Sequence, residues 1–112
     1  MNTLDPDRDW FVGVRYVAQR FGQQIDWQGL QRLKAQVVVG SEDTANDIQI
    51  SARDALYADG VNDTGSNRVE RASFLNGLHR KAGVDSRLDG VQGAARCAAH
   101  VQRAVDAFFR AL

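Results

Sequence analysis

Apolar residues recur every three or four positions along most of the chain, which is the spacing of one face of an α-helix. The longest regular stripe lies at the carboxyl end, and another follows the capping pattern of Asn67 and Glu70. Asp26 is a further N-cap candidate, and Gly22 and Gly83 are suited to end helices. The stripes predict about five amphipathic helices, over residues 5–21, 26–39, 48–59, 67–82 and 91–112.

One part of this pattern also fits a strand. Val37, Val38 and Val39 form a β-branched run before Gly40, so the end of the second segment has an extended alternative. The helical period nevertheless covers the longer span. Helices with one apolar stripe each bury it most simply against one another. The sequence therefore predicts an all-α fold, with residues 1–112 forming a single compact helical bundle.

Composition narrows the class of protein. The 112 residues are 44% hydrophobic and 25% charged, which is close to the average of globular domains. The net charge is zero, which disfavours a protein that grips nucleic acid or anionic lipid over its whole surface. No apolar run is long enough for a membrane span, and the acidic amino terminus is not a signal peptide. A single cysteine, Cys97, favours a reducing compartment, so we expect a cytoplasmic protein. Arginine greatly exceeds lysine, which suggests a bacterial source.

Charge is unevenly distributed between the middle and the carboxyl half. Residues 42–63 are strongly acidic, whereas basic residues outnumber acidic ones in residues 67–112. Such a division offers complementary surfaces for another protein or for a second copy of the chain. The acidic residues that we expect to contact a cation-rich partner are Asp47, Asp54, Asp59 and Asp63.

Candidate metal and catalytic chemistry is sparse. Cys97 and His100 are three residues apart on one predicted helix, but two ligands are too few for zinc, and the only other histidine is His79. Residues 59–70 have oxygen donors at four positions of a calcium-binding loop, but Val61 and Thr64 occupy places that need an oxygen ligand and a glycine. We expect no cofactor, no bound metal and no enzymatic activity.

Residues 78–84, with the sequence LHRKAGV, resemble the turn of helix-turn-helix DNA-binding proteins. The resemblance extends over residues 72–96 and departs from the family at Asp89, Gly90 and Gly93. It implies a small regulator, acting as a homodimer, as the alternative function. The residues that would then contact DNA are Arg80, Lys81, Arg87, Gln92 and Arg96.

Aromatic residues are concentrated in the first quarter of the chain, where they accompany Arg15 and Arg20. They are Trp10, Phe11, Tyr16, Phe21 and Trp27. Exposed aromatic rings beside arginine are typical of protein contact surfaces, although the same rings could instead form the core. The leading hypothesis is therefore a non-catalytic protein-binding module, such as an immunity or antitoxin partner, a secretion adaptor or a regulator.

Overall fold

The computed structural model describes residues 4–92 and 98–112. These residues form two short helices, a strand, a long helix, a second strand and a final helix. In chain order the elements are α1 (Val17–Phe21), α2 (Trp27–Gln31), β1 (Lys34–Gly40), α3 (Arg68–Lys81), β2 (Asp85–Val91) and α4 (Ala98–Arg110).

The two strands form a parallel sheet, and α3 is the crossover helix that joins them. Lys34 is opposite Asp85 and Gly40 is opposite Val91, so all seven residues of each strand are paired. The ladder continues one residue further, because the Ser41 amide donates to the Val91 carbonyl oxygen at 2.9 Å. Residues 34–91 are thus a βαβ unit with a long insertion between β1 and α3.

The helices α3 and α4 cover opposite faces of the sheet. Side chains alternate between the faces along a strand. Ser86 points to α3, where its hydroxyl lies 2.7 Å from Asn76 Oδ1. Gln36 points to the other face, where its amide donates to the Ala104 carbonyl oxygen of α4 at 3.1 Å. The result is a helix–sheet–helix arrangement of three layers.

The predicted all-α bundle is wrong, because one of its helical segments contains a strand and a second strand lies between the last two predicted helices. The segment 26–39 divides after Gln31 into α2 and β1, and the start of the segment 91–112 is preceded by β2. Strands that are covered on both faces lack the polar alternation of a half-exposed strand, and a short apolar run such as Val37–Val39 then matches either period. The predicted helix over 48–59 is also absent, since those residues form turns and irregular structure.

The prediction of a helix over 67–82 is confirmed by α3. Asn67 is its N-cap and accepts from the Glu70 amide at 2.8 Å. The Glu70 carboxylate accepts from the Ser66 amide at 2.7 Å, one residue earlier than a standard capping box requires. Gly83, with φ of +89°, follows the end of the helix, in a conformation that residues with a side chain rarely adopt.

The amino-terminal segment, residues 4–16, folds back on itself instead of forming most of the predicted first helix. The Val14 amide donates to the Asp5 carbonyl at 2.9 Å, and the Arg15 amide donates to the Arg8 carbonyl at the same distance. These bonds span seven to nine residues, so they exclude a continuous helix. Leu4, Val14 and Val17 form a buried cluster beneath this segment. Helical structure begins only at Val17.

Asp89 lies on the α4 face of the sheet, and its hydrogen bonds predict that the stability of the fold depends on pH. Hydrogen bonds from Arg87 and Gln36 hold the pKa of Asp89 below its ordinary value. The Asp89 carboxylate therefore binds a proton more readily in the unfolded chain than in the folded one. Its contribution to the stability of the fold is present above about pH 4 and is lost as the pH falls through the pKa of Asp89 in the folded state. Between pH 7 and pH 3, urea unfolding should show a smaller loss of stability for Asp89→Asn than for the wild type. Equal losses would contradict this interpretation.

Candidate protein-binding groove

The described part of the chain leaves many large apolar side chains exposed. Its buried apolar residues are small, and apart from Leu4 all of them are valines. In contrast, the exposed large apolar residues are Tyr16, Phe21, Trp27, Leu33, Leu56, Tyr57, Phe74, Leu88, Phe109 and Leu112. Where such side chains lie together, they mark sites of interaction with other molecules.

Some of these side chains line a groove of about 460 Å³, which we call the Trp27 groove. It lies between the amino-terminal segment, α2 and α3. Its apolar lining consists of Leu4, Pro6, Trp27, Phe74, Leu78 and Ala82, and its charged rim consists of Asp5, Asp7 and Lys81. Trp27 is 36% exposed and Phe74 is 43% exposed, so both rings are available to a bound group.

Local contacts fix the three walls of the Trp27 groove. Asp26 caps α2 by accepting from the Gly29 amide at 2.8 Å, which sets the position of the adjacent Trp27. The Gln31 side-chain amide lies 3.3 Å from the Ala82 carbonyl oxygen and connects α2 to the end of α3. Leu4 belongs to the buried cluster with Val14, so the amino-terminal wall is anchored as well. The groove is therefore formed by segments that are distant in sequence.

The rim of the Trp27 groove has an acidic side and a basic side. Asp5 and Asp7 lie on the amino-terminal wall, and the Asp5 carboxylate accepts from the Asp7 amide at 2.9 Å. Lys81 stands on the wall formed by α3, at the end of that helix. Oppositely charged sides around an apolar floor can orient a bound polypeptide as well as hold it.

A smaller depression of about 210 Å³ adjoins the other side of Trp27, where it is lined by Tyr16 and Ile25. Tyr16 is 56% exposed, and the Arg15 guanidinium lies 5.3 Å from the centroid of its ring. Trp10 instead packs edge-on against Phe21, with ring centroids 5.0 Å apart. Of the aromatic residues singled out in the sequence, Tyr16, Phe21 and Trp27 are thus exposed. The sequence pattern did not identify Phe74 as part of the same surface.

The four acidic residues predicted to contact a partner do not form one uniform patch. Asp47 accepts from Arg68 at 2.9 Å, and Asp63 accepts from Arg8 at 2.8 Å. Asp54 accepts from the Leu56 amide within a turn. Asp59 is exposed at the surface. Part of the predicted acidic charge is therefore balanced within the chain, and a role of these residues in partner binding stays a prediction.

The residues predicted to contact DNA are separated by the fold. Arg80 and Lys81 are exposed at the end of α3, whereas Arg87 lies in β2 and pairs with Asp89 at 2.9 Å on the α4 face. Gln92 follows β2, and Arg96 lies outside the described residues. Because Asp85–Val91 is a strand, it cannot be a recognition helix for the groove of DNA. DNA binding itself stays an untested alternative.

The candidate metal and catalytic residues are also dispersed. Cys97 lies outside the described residues, and His79 contacts the Ser86 hydroxyl at 3.2 Å. His100 has its Nδ1 atom buried without a hydrogen-bond partner among the described residues. Among the oxygen-bearing residues of the segment 59–70, Asp63 pairs with Arg8 and Asn67 caps α3. Within residues 4–92 and 98–112, no three acidic, histidine or cysteine side chains are grouped closely enough to hold a metal ion.

A polar cluster at the carboxyl end of β1 was not anticipated from the sequence. Asp43 is only 4% exposed and lies 3.2 Å from Arg68, which also contacts Asp47. Burial alone would lower the pKa of Arg68, but the hydrogen bonds and charges of the two aspartates outweigh it and raise that pKa. Arg68 therefore stays charged and connects the first turn of α3 to the loop after β1.

Comparison with known proteins gives no relative: the chain matches no protein family, no curated protein and no solved structure. Among the described helices, none has both the length and the apolar character needed to cross a membrane. A functional interpretation therefore depends on the surface of the chain itself.

Proposed function

We propose that the chain is a non-catalytic protein-binding module that holds an apolar side chain of its partner in the Trp27 groove. The observation that carries this proposal is the exposure of Trp27 of α2 and Phe74 of α3 in the lining of one groove. Tryptophan is among the residues that most often dominate binding energy at protein interfaces, and aromatic residues are enriched there. We place this activity in the cytoplasm of a bacterium, as the residue usage suggests.

The shape and charge of the Trp27 groove suggest the chemistry of its partner. A volume of about 460 Å³ is large enough for one or two apolar side chains. Asp7 on the amino-terminal wall and Lys81 on the α3 wall favour a partner segment that carries both a basic and an acidic residue near its apolar anchor. An immunity, antitoxin or adaptor role fits such a recognition surface.

Replacing Trp27 or Phe74 with alanine is expected to weaken partner binding by about 30-fold or more, because truncation of a central anchor costs about 2 kcal/mol or more. The partner would be captured from cells of the source organism with the intact chain, identified, purified and titrated by calorimetry against each variant. Phe109→Ala is the matched control, since Phe109 is an exposed aromatic residue of α4 outside the groove.

The Phe109→Ala control and the salt dependence of the measured affinity distinguish the proposal from its alternatives. If Phe109→Ala weakens binding as much as Phe74→Ala does, the Trp27 groove is not the binding site. If the captured ligand is DNA whose affinity falls steeply with added salt, the nucleic-acid alternative replaces the proposal. Equal affinity of the wild type and both groove variants would also reject it.

A further inference from the structure

A second depression adjoins the Trp27 groove, and we call it the Leu33 depression. Its volume is about 370 Å³, and it is lined by the apolar Leu4, Ile25, Leu30 and Leu33 together with Gln24, Asp26 and Gly29. Leu4 also lines the Trp27 groove, so the two openings lie side by side on one surface. Ile25 in turn lines the smaller depression beside Trp27. The apolar surface around Trp27 is therefore larger than a single groove.

The chain between α2 and β1 keeps Leu33 at the surface. The Leu33 amide donates to the Leu30 carbonyl oxygen at 3.1 Å, which closes a turn and places the two residues in the same lining. Leu33 is 54% exposed, whereas Leu4 beside it is buried. A partner that covers Leu33 with an apolar side chain removes this apolar area from water, which favours binding.

Asp26 gives the Leu33 depression a negative charge. Its carboxylate caps α2 by accepting from the Gly29 amide, yet it is exposed and forms none of the ion pairs within residues 4–92 and 98–112. Around the two openings, Asp7 and Asp26 outnumber Lys81 even without Asp5, which is in an ion pair. A cationic group of the partner is therefore complementary to this surface.

We propose that the partner segment has two apolar anchors, one in the Trp27 groove and one in the Leu33 depression, and that a lysine or arginine beside the second anchor pairs with Asp26. This inference rests on the proposed function, because it adds a second contact for the same partner. Two anchors on one segment strengthen binding, since the first brings the second close to its site. The charged contact at only one of the two openings sets the direction in which the segment binds.

A library of short random peptides displayed on phage and selected on the full chain is the probe. We expect the selected peptides to share two apolar residues and a lysine or arginine. A synthetic peptide of the shared sequence is then titrated by calorimetry. Leu33→Ala is expected to raise its dissociation constant about fivefold to tenfold. Leu56→Ala is the matched control and should leave the affinity unchanged, since Leu56 is an exposed leucine outside both openings.

Asp26→Asn tests the charged contact without removing the helix cap, because asparagine caps helices as well as aspartate does. This variant is expected to raise the dissociation constant about threefold. Replacing the basic residue of the peptide with glutamine should weaken binding to the wild type by a similar factor and should cause no further loss with Asp26→Asn. Circular dichroism verifies that each variant is folded.

Trp27→Ala separates failure of this inference from failure of the proposed function. The inference requires that Trp27→Ala and Leu33→Ala both weaken binding of the same peptide. If Trp27→Ala alone does so, the Trp27 groove remains the binding site and the second anchor is rejected. If Trp27→Ala leaves the affinity unchanged, the proposed function fails as well. A selection that yields no binding peptide, or a basic residue whose loss matters equally for Asp26→Asn and the wild type, also overturns the inference.

Discussion

Replacing Gly13 with alanine is expected to lower the free energy of unfolding by about 3 kcal/mol, the upper part of the usual range for overpacking. Gly13 is buried, and a β-carbon at this position would overlap the backbone carbonyl oxygens of Asp5 and Arg8. Those oxygens accept from Val14 and Arg15, so they cannot move without breaking the bonds that fold the amino-terminal segment. Urea unfolding measures the change.

The same substitution at Gly77 provides the matched control. Gly77 lies in the interior of α3 and is exposed. Apart from its chain neighbours and the backbone of its own helix, no atom of the described residues lies within 4 Å of the position of an added β-carbon. Gly77→Ala should therefore raise the free energy of unfolding by about 1 kcal/mol, which is the difference in helix propensity between the two residues. If Gly13→Ala leaves the free energy of unfolding unchanged or raises it as Gly77→Ala does, the close approach at Gly13 does not constrain the fold.

The Gly13→Ala variant also links the fold to the proposed binding surface. The amino-terminal segment supplies Leu4 and Pro6 to one wall of the Trp27 groove. Displacement of this segment should speed hydrogen exchange at residues 5–15 and weaken binding of the partner in the groove. Gly77→Ala should do neither, because α3 keeps its position. These two results would connect the stability of the fold to the proposed recognition through the turn at Gly13.

The sequence pattern identifies best those elements whose signals are local. Asn67 and Gly83 mark the ends of α3 through contacts within a few residues, and Asp26 caps α2 in the same way. The strands lack such signals. Residues 41–84 separate the end of β1 from the start of β2, and the pairing of the two strands depends on where α3 directs the chain. A valine run is compatible with helix or strand until its neighbours are known.

The candidate groove is harder to predict than the fold, for a related physical reason. Trp27 and Phe74 are 47 residues apart, and the sequence assigns both to apolar stripes without showing which stripe is covered. A stripe that forms core and a stripe that forms an interface look alike in one dimension. Aromatic enrichment in the first quarter left open whether those rings are exposed or form the core, and only the position of α3 brings Phe74 beside Trp27.

The buried polar contact between α3 and β2 leads to the second prediction of a large effect. Asn76 and Ser86 are both nearly inaccessible, and the Ser86 hydroxyl donates to Asn76 Oδ1 at 2.7 Å. Since that hydrogen is used, the Ser86 oxygen accepts from His79 Nδ1 at 3.2 Å when the ring carries its proton there. Loss of one partner leaves a buried polar group on the other without its hydrogen bond.

Asn76→Ala is expected to lower the free energy of unfolding by about 2 kcal/mol, even though alanine is the better helix former, and Ser86→Ala by about 1–2 kcal/mol. The double variant should lose clearly less than the sum of the two, with a coupling of about 1 kcal/mol, because the second substitution removes a group that the first has already deprived of its partner. Urea unfolding of all four proteins measures this cycle. Additive losses would show that the two side chains stabilise the fold independently of each other, and that the hydrogen bond between them does not hold α3 on β2.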